Sequence, residues 1–236
     1  MLLTLLIGSG CVAVAGCDVR RIRWPTLPPR ATSSPSAILW EESFDVLDAR
    51  RWREVVLHGH SAYAAVELEG RRCLEVRSHD AASILLSGVR LTPKVYPWLS
   101  WEWRVDQLVA GEALERKDGS DAAARVYVYF ETKGMGWKKR NLDYVWSASL
   151  PVGTIMSSAY STDSKIIVAE SGSASLGQWR AVQRNVAQDY RHAFGGDAPS
   201  AVAIGVMTDT DNTGTEALAY FDELRVSRSV EPLPAR

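Results

Sequence analysis

The densest polar run in the chain is Lys117-Asp118-Gly119-Ser120-Asp121, which leads directly into Ala122-Ala123-Ala124-Arg125-Val126-Tyr127-Val128-Tyr129-Phe130. Read as a strand, the second stretch places Arg125, Tyr127 and Tyr129 on one face and Ala124, Val126, Val128 and Phe130 on the other. The apolar set reads as core. The polar set has ligand-binding chemistry, because a guanidinium forks onto paired oxygens while phenol rings lie against the apolar face of a sugar. Ser100 to Val105 splits the same way, with Trp101, Trp103 and Val105 on one side and Glu102 and Arg104 on the other. Sharing a face with Arg125, these two would complete a charged floor of ligand size, with Asp118 and Asp121 beside it. Tyr144 and Trp146 alternate with Asp143 and Val145 and fit either that floor or the core. The competing reading is a buried, paired charge network that holds two sheets in register.

A second polar cluster, Asp209-Thr210-Asp211-Asn212-Thr213-Gly214, matches the first half of a calcium loop in its alternating oxygen ligands and closing glycine. The twelfth position, where a full loop wants a bidentate Glu, is Tyr220. The expected ligands are Asp209, Asp211 and Asn212, completed by Glu216 or by Asp118 and Asp121; an Asx-rich turn is the alternative. Beyond that calcium, no cofactor is expected. His58, His60 and His79 lack the Cys or acidic neighbours of a metal set. Cys73, in strand-like surroundings, reads as a small buried hydrophobe rather than a nucleophile. For catalysis, Glu102 and Glu131 would serve a glycoside only at about 5 to 10 Å separation. Glu102 or Asp143 as acid or base, with Arg125 holding an anionic sugar, makes a polysaccharide hydrolase or lyase the alternative function.

Short alternating segments bounded by turn residues supply the elements that must carry these groups. The strands predicted are 53–57, 62–68, 72–77, 82–86, 98–105, 122–131, 143–149, 165–170, 179–186, 201–208 and 217–227. One helix is predicted from Asn185 to Phe194, stopped by Gly195-Gly196. The expected fold is therefore mainly β: a two-sheet antiparallel β-sandwich of jelly-roll type with one short helix. Nine Trp and eight Tyr against four Phe favour rings that combine an apolar body with a polar edge, as half-wet surfaces require. A formal net charge of -1 over 236 residues supplies no field for holding nucleic acid.

Met1 to Ala15 is apolar and uncharged, yet shorter than the roughly 20 residues that span a bilayer. The following Val14-Ala15-Gly16-Cys17 resembles the bacterial lipobox. That resemblance implies a signal peptide over 1–16 and a lipid on Cys17. A flexible Arg-, Pro- and Ser-rich spacer would run to residue 37, a single domain would occupy 38–229, and a tail would follow over 230–236. The protein would then sit on the periplasmic side of a bacterial cell envelope, with Asp18 favouring the inner membrane. Cys11 would leave with the leader and Cys17 would carry lipid, so Cys73 has no disulfide partner.

The runs around Lys117 to Val128, Asn141 to Trp146, Leu176 to Trp179 and Val206 to Thr213 resemble an uncharacterised bacterial family known only as a domain of unknown function. The likeness extends from about Phe44 to Val226. It implies a β-rich secreted or envelope domain and brings no catalytic residues with it. Glu42 to Asp45 and Tyr220 to Val226 further resemble the first and last strands of jelly-roll carbohydrate modules, and Tyr129 to Gly134 a strand of jelly-roll polysaccharide lyases. The function expected is a membrane-anchored, non-catalytic module binding a glycan or another polar envelope ligand through Glu102, Arg104, Asp118, Asp121, Arg125, Tyr127, Tyr144 and Trp146. A protein-assembly module, with an envelope protein as partner, is the second alternative.

Overall fold

The computed structural model describes residues 25–26, 37–131 and 139–230. Cys17, Asp18 and the leader lie outside them. The order of elements is β1 (Ile38–Glu42), β2 (Trp52–His58), β3 (Ala62–Leu68), β4 (Arg71–His79), β5 (Ala82–Leu91), β6 (Trp98–Gln107), β7 (Ala122–Phe130), β8 (Asn141–Ser147), β9 (Ile155–Ser157), β10 (Ser164–Ser171), β11 (Arg180–Asn185), α1 (Val186–Phe194), β12 (Ala201–Asp209) and β13 (Glu216–Ser227). A short 3-10 turn, Lys117–Gly119, precedes β7. Sheet A runs β11-β6-β13-β4-β3, with β1 beside the second half of β13; sheet B runs β2-β5-β12-β7-β8-β10-β9. Successive strands cross repeatedly between the two layers, giving the sandwich of jelly-roll type.

Each predicted strand lies on an observed one, but two strands were not foreseen. β9 has three residues and β1 five, too few alternations to register as a pattern. The expected antiparallel sandwich is observed, with one parallel pair within sheet B, β8 and β10. Short β9 pairs antiparallel with β10 at the sheet edge and brings the chain back to the end where β8 began, so no long crossover is needed. The helix starts where Asn185 Oδ1 accepts from Gln188 N at 3.0 Å. It stops at Gly195, whose φ of 75° suits glycine and whose N–H reaches Arg191 O.

Between the layers, the inward residues of β6 meet those of β8: Trp101 lies 5.3 Å from Tyr144, and Trp103 5.9 Å from Trp146, between ring centroids. Ala124, Val126, Val128 and Phe130 belong to this core, as alternation predicts. The two sheets differ in their outer faces. Every residue of β7, β8 and β12 is buried, so the middle of sheet B is covered on both sides. Part of the outer cover is Leu114, Leu150 and Met156, packed against Val145, Ile166 and Val168. At Gly88 of β5 an added Cβ would come within 2.7 Å of the carbonyl oxygen of Thr26, so Pro25 and Thr26 lie directly on sheet B there. Sheet A keeps its outer face partly open to solvent.

Candidate functional site

Arg125 projects from the outer face of β7 and is buried. Its Nε donates to Asp209 Oδ1 at 2.8 Å, its Nη2 to Ser120 O at 2.7 Å, and its Nη1 to Asp143. Asp209 also accepts from Ala122 N at 2.8 Å. Asp121, next door, accepts from Thr213 N and Thr213 Oγ1, both at 2.7 Å, and from Asn212 N. These bonds fasten the segment before β7 and the β12–β13 loop onto sheet B. Tyr127 and Tyr129 stack on each other at 5.5 Å, also buried. The geometry matches the paired-network reading of Arg125, not a ligand floor.

Burial pushes Asp209 up to about 7, reinforced by the Asp121 carboxylate and opposed by Arg125. Burial likewise lifts Asp143 to about 6 against the same guanidinium. On the outer face of sheet A, Asp222 is raised to about 6 by burial and held back by Arg71. Between their ordinary value near 3.8 and these raised values, the folded protein binds more protons than the unfolded chain. Stability from these three groups is therefore greatest below that ordinary value and falls as pH rises through 6 to 7. The expected result is a higher urea midpoint at pH 5 than at pH 8, with a flatter profile in Asp209→Asn; equal midpoints would contradict it.

Carboxylate oxygens of Asp121, Asp209 and Asp211 lie within 4.8 Å of one another. That is the oxygen chemistry of a hard cation. Of the expected completing groups, Asp121 is in place. Glu216 instead bonds His79 Nδ1 at 2.8 Å, and Asp118 pairs with Arg116 at 2.9 Å on the exposed side. Asn212 approaches Asp121 through its backbone N–H, and its side-chain amide lies against Tyr160 Oη and Lys117 O.

The floor expected from the sequence is divided among three layers. Arg125 and Tyr127 are sealed on the outside of sheet B, beside Asp121. Tyr144 and Trp146 are in the inter-sheet core, where Tyr144 Oη donates to Asp189 Oδ2 at 2.9 Å and Trp146 Nε1 to Gly172 O at 3.1 Å. Glu102 and Arg104 are on the opposite side of the molecule, on the outer face of sheet A. Asp118 is on the surface at the 3-10 turn. Asp143 and Glu131 belong to the sheet B side, so neither forms an acid and base pair with Glu102. Alternation assigns residues to the two faces of one strand but does not say which sheet a strand joins.

Around Glu102 and Arg104, sheet A builds a different polar face. Register places Tyr220 of β13 between Glu75 of β4 and Arg104 of β6, with Asp222 beside Glu102. Arg71 Nε donates to Asp222 Oδ2 at 2.6 Å and its Nη2 to Glu102. Arg104 Nε donates to Asp106 Oδ1 at 2.6 Å and its Nη1 to Glu69 Oε1 at 2.9 Å. The Trp179 ring lies 4.0 Å over the Arg71 guanidinium and 6.5 Å from the Tyr220 ring. Arg71, Glu102 and Arg104 remain 11 to 15% exposed, whereas Arg125 is 4% exposed. Burial raises the Cys73 thiol in this sheet to about 11, consistent with an inert cysteine.

A family described as protein of unknown function, DUF3047, matches residues 50–225. The chain belongs to this family. The matched span includes every residue of both polar faces apart from the edge strand β1. No curated protein matches the DUF3047 chain in sequence. Among solved structures, the family 11 carbohydrate-binding module of the cellulosomal cellulase Lic26A-Cel5E of Clostridium thermocellum is similar with 12% identity and a TM-score of 0.45, covering 84% of this chain and 99% of that one. The CBM22-1-CBM22-2 tandem domain of Paenibacillus barcinonensis Xyn10C is similar with 13% identity and a TM-score of 0.45, over 83% of this chain and 51% of that one. A family 30 carbohydrate-binding module shows 10% identity and a TM-score of 0.44 over 85% and 88%.

Proposed function

We propose that this DUF3047 chain is a glycan-binding module, held on the periplasmic side of a bacterial envelope by lipid on Cys17, and that its ligand face is the outer side of sheet A. The observation that carries the reading is the partly exposed pair Arg71 and Glu102 beneath Trp179, held in place by the buried Asp222. A sugar ring has an apolar face and a hydroxyl rim. Indole and phenol rings take the first, while carboxylates and guanidiniums already fixed in position take the second with little ordering cost. Of the two carboxylates flanking Arg71, Glu102 reaches the surface and keeps acceptor capacity there, while Asp222 is buried and accepts from Arg71 and from Glu223 N. Among the described residues no helix is long and apolar enough to cross a membrane, so the membrane partner in this reading is reached through the lipid, with Asp18 favouring the inner membrane.

The test is binding of the full chain to an array of bacterial and plant glycans, alongside Arg104→Ala and Tyr127→Phe. Arg104→Ala removes a face residue and is expected to weaken any hit at least fivefold. Tyr127→Phe changes only the sealed sheet B side and is expected to leave the hit unchanged. A blank array would discard the glycan reading in favour of a protein partner, and the reverse pattern of variants would move the site to sheet B.

A further inference from the structure

Resting on that reading, we infer that the sheet A face selects neutral polysaccharides and rejects acidic ones. Each guanidinium described on this face is already paired with carboxylate: Arg71 with Glu102 and Asp222, Arg104 with Asp106 and Glu69, Arg77 with Glu75 at 2.7 Å, and Arg225 with Glu223 at 3.3 Å and Glu41 at 3.6 Å. Seven carboxylates therefore stand against four guanidiniums among these described residues. A uronate, sulfate or phosphate on a sugar would reach these guanidinium N–H groups only where carboxylates have already matched their charge. It would meanwhile face the surplus acidic groups, of which Glu69 is 65% exposed at the rim. Like charges across an interface work against the wrong partner, so the pairing is a filter as well as a scaffold.

Neutral hydroxyls meet no such obstacle. A hydroxyl donates to a carboxylate oxygen and accepts from a guanidinium N–H in the same contact. Arg71 and Arg104 offer both partners side by side without either being unpaired first. Trp179, half-buried and 6.5 Å from the buried Tyr220 that backs it, supplies a ring beside those pairs for a sugar's C–H surface. The occupant that suits both observations is an uncharged polysaccharide chain lying across the strands.

The experiment is affinity electrophoresis and titration calorimetry of the full chain against a panel of neutral polysaccharides and the carboxymethylated derivative of each, at low and high salt. The expected result is binding to at least one neutral polymer, weakened at least tenfold by carboxymethylation and changed less than twofold by salt. Retention that equals or exceeds the neutral polymer on the carboxymethylated one, and that weakens with salt, would overturn the charge filter and leave the glycan-binding reading standing. No retention by any polymer of either kind would overturn both.

Discussion

Arg125→Ala is expected to lower the stability of the domain by about 3–5 kcal/mol, the cost of stranding buried carboxylates when their cation is removed. For a domain of this size that corresponds to a fall in thermal midpoint of roughly 10 °C. Two carboxylates would be stranded at once: Asp143, whose Oδ1 has no hydrogen-bond partner among the described residues, and Asp209, which already faces Asp121. Arg125→Met keeps much of the volume and separates charge from packing. Because the carboxylates stay behind, it should lose nearly as much as the alanine variant, and Asp143→Leu added to it should recover part of the loss. Urea unfolding of the three variants decides the matter. A loss below about 1 kcal/mol in Arg125→Ala would mean that water reaches the site and solvates the acids.

Trp179→Ala is expected to weaken glycan binding by about 30-fold, or about 2 kcal/mol, the scale of an interfacial tryptophan that anchors contact. Its effect on stability should be smaller, about 1 kcal/mol, because the ring is partly exposed and what it gives the fold is chiefly its contact with Arg71. Trp179→Phe retains a ring face and should lose less than fivefold. Calorimetry against the best polysaccharide, with melts run in parallel, reads both quantities. Unchanged affinity in Trp179→Ala would remove sheet A as the platform, since no other described ring lies over its arginines at that distance.

The strands were largely legible because one-sided burial writes a period of two into the sequence, and β6 shows it from Trp101 to Asp106. The helix was legible from Asn185 at its start and the glycine pair at its end. The parallel β8–β10 pair was not, because register between strands separated by a short excursion leaves no local pattern. The charged groups of the site were visible as residues, but their grouping was not. Arg71 and Asp222 are 151 residues apart in the chain and meet only because β13 lies between β4 and β6. The alternation of polar with apolar in β7 fits Arg125 both as a half-exposed ligand anchor and as part of a buried ion-pair network. Segments distant in sequence then close over it, and nothing within β7 announces that cover. Trp179 was present in a family-like motif, yet its position over Arg71 depends on β11 joining the edge of sheet A.

The resting place of Pro25 and Thr26 on Gly88 has a consequence for reach. Gly88 belongs to sheet B, so a tether running back from Pro25, as proposed, would start from the layer opposite the proposed ligand face. Eight residue steps separate Pro25 from Cys17, at most about 28 Å of fully extended chain. With lipid at Cys17, the domain would stand close above the bilayer with sheet B toward it and sheet A turned outward. A polymer lying further from the membrane would then meet the binding face first, without the domain having to turn on a long leash.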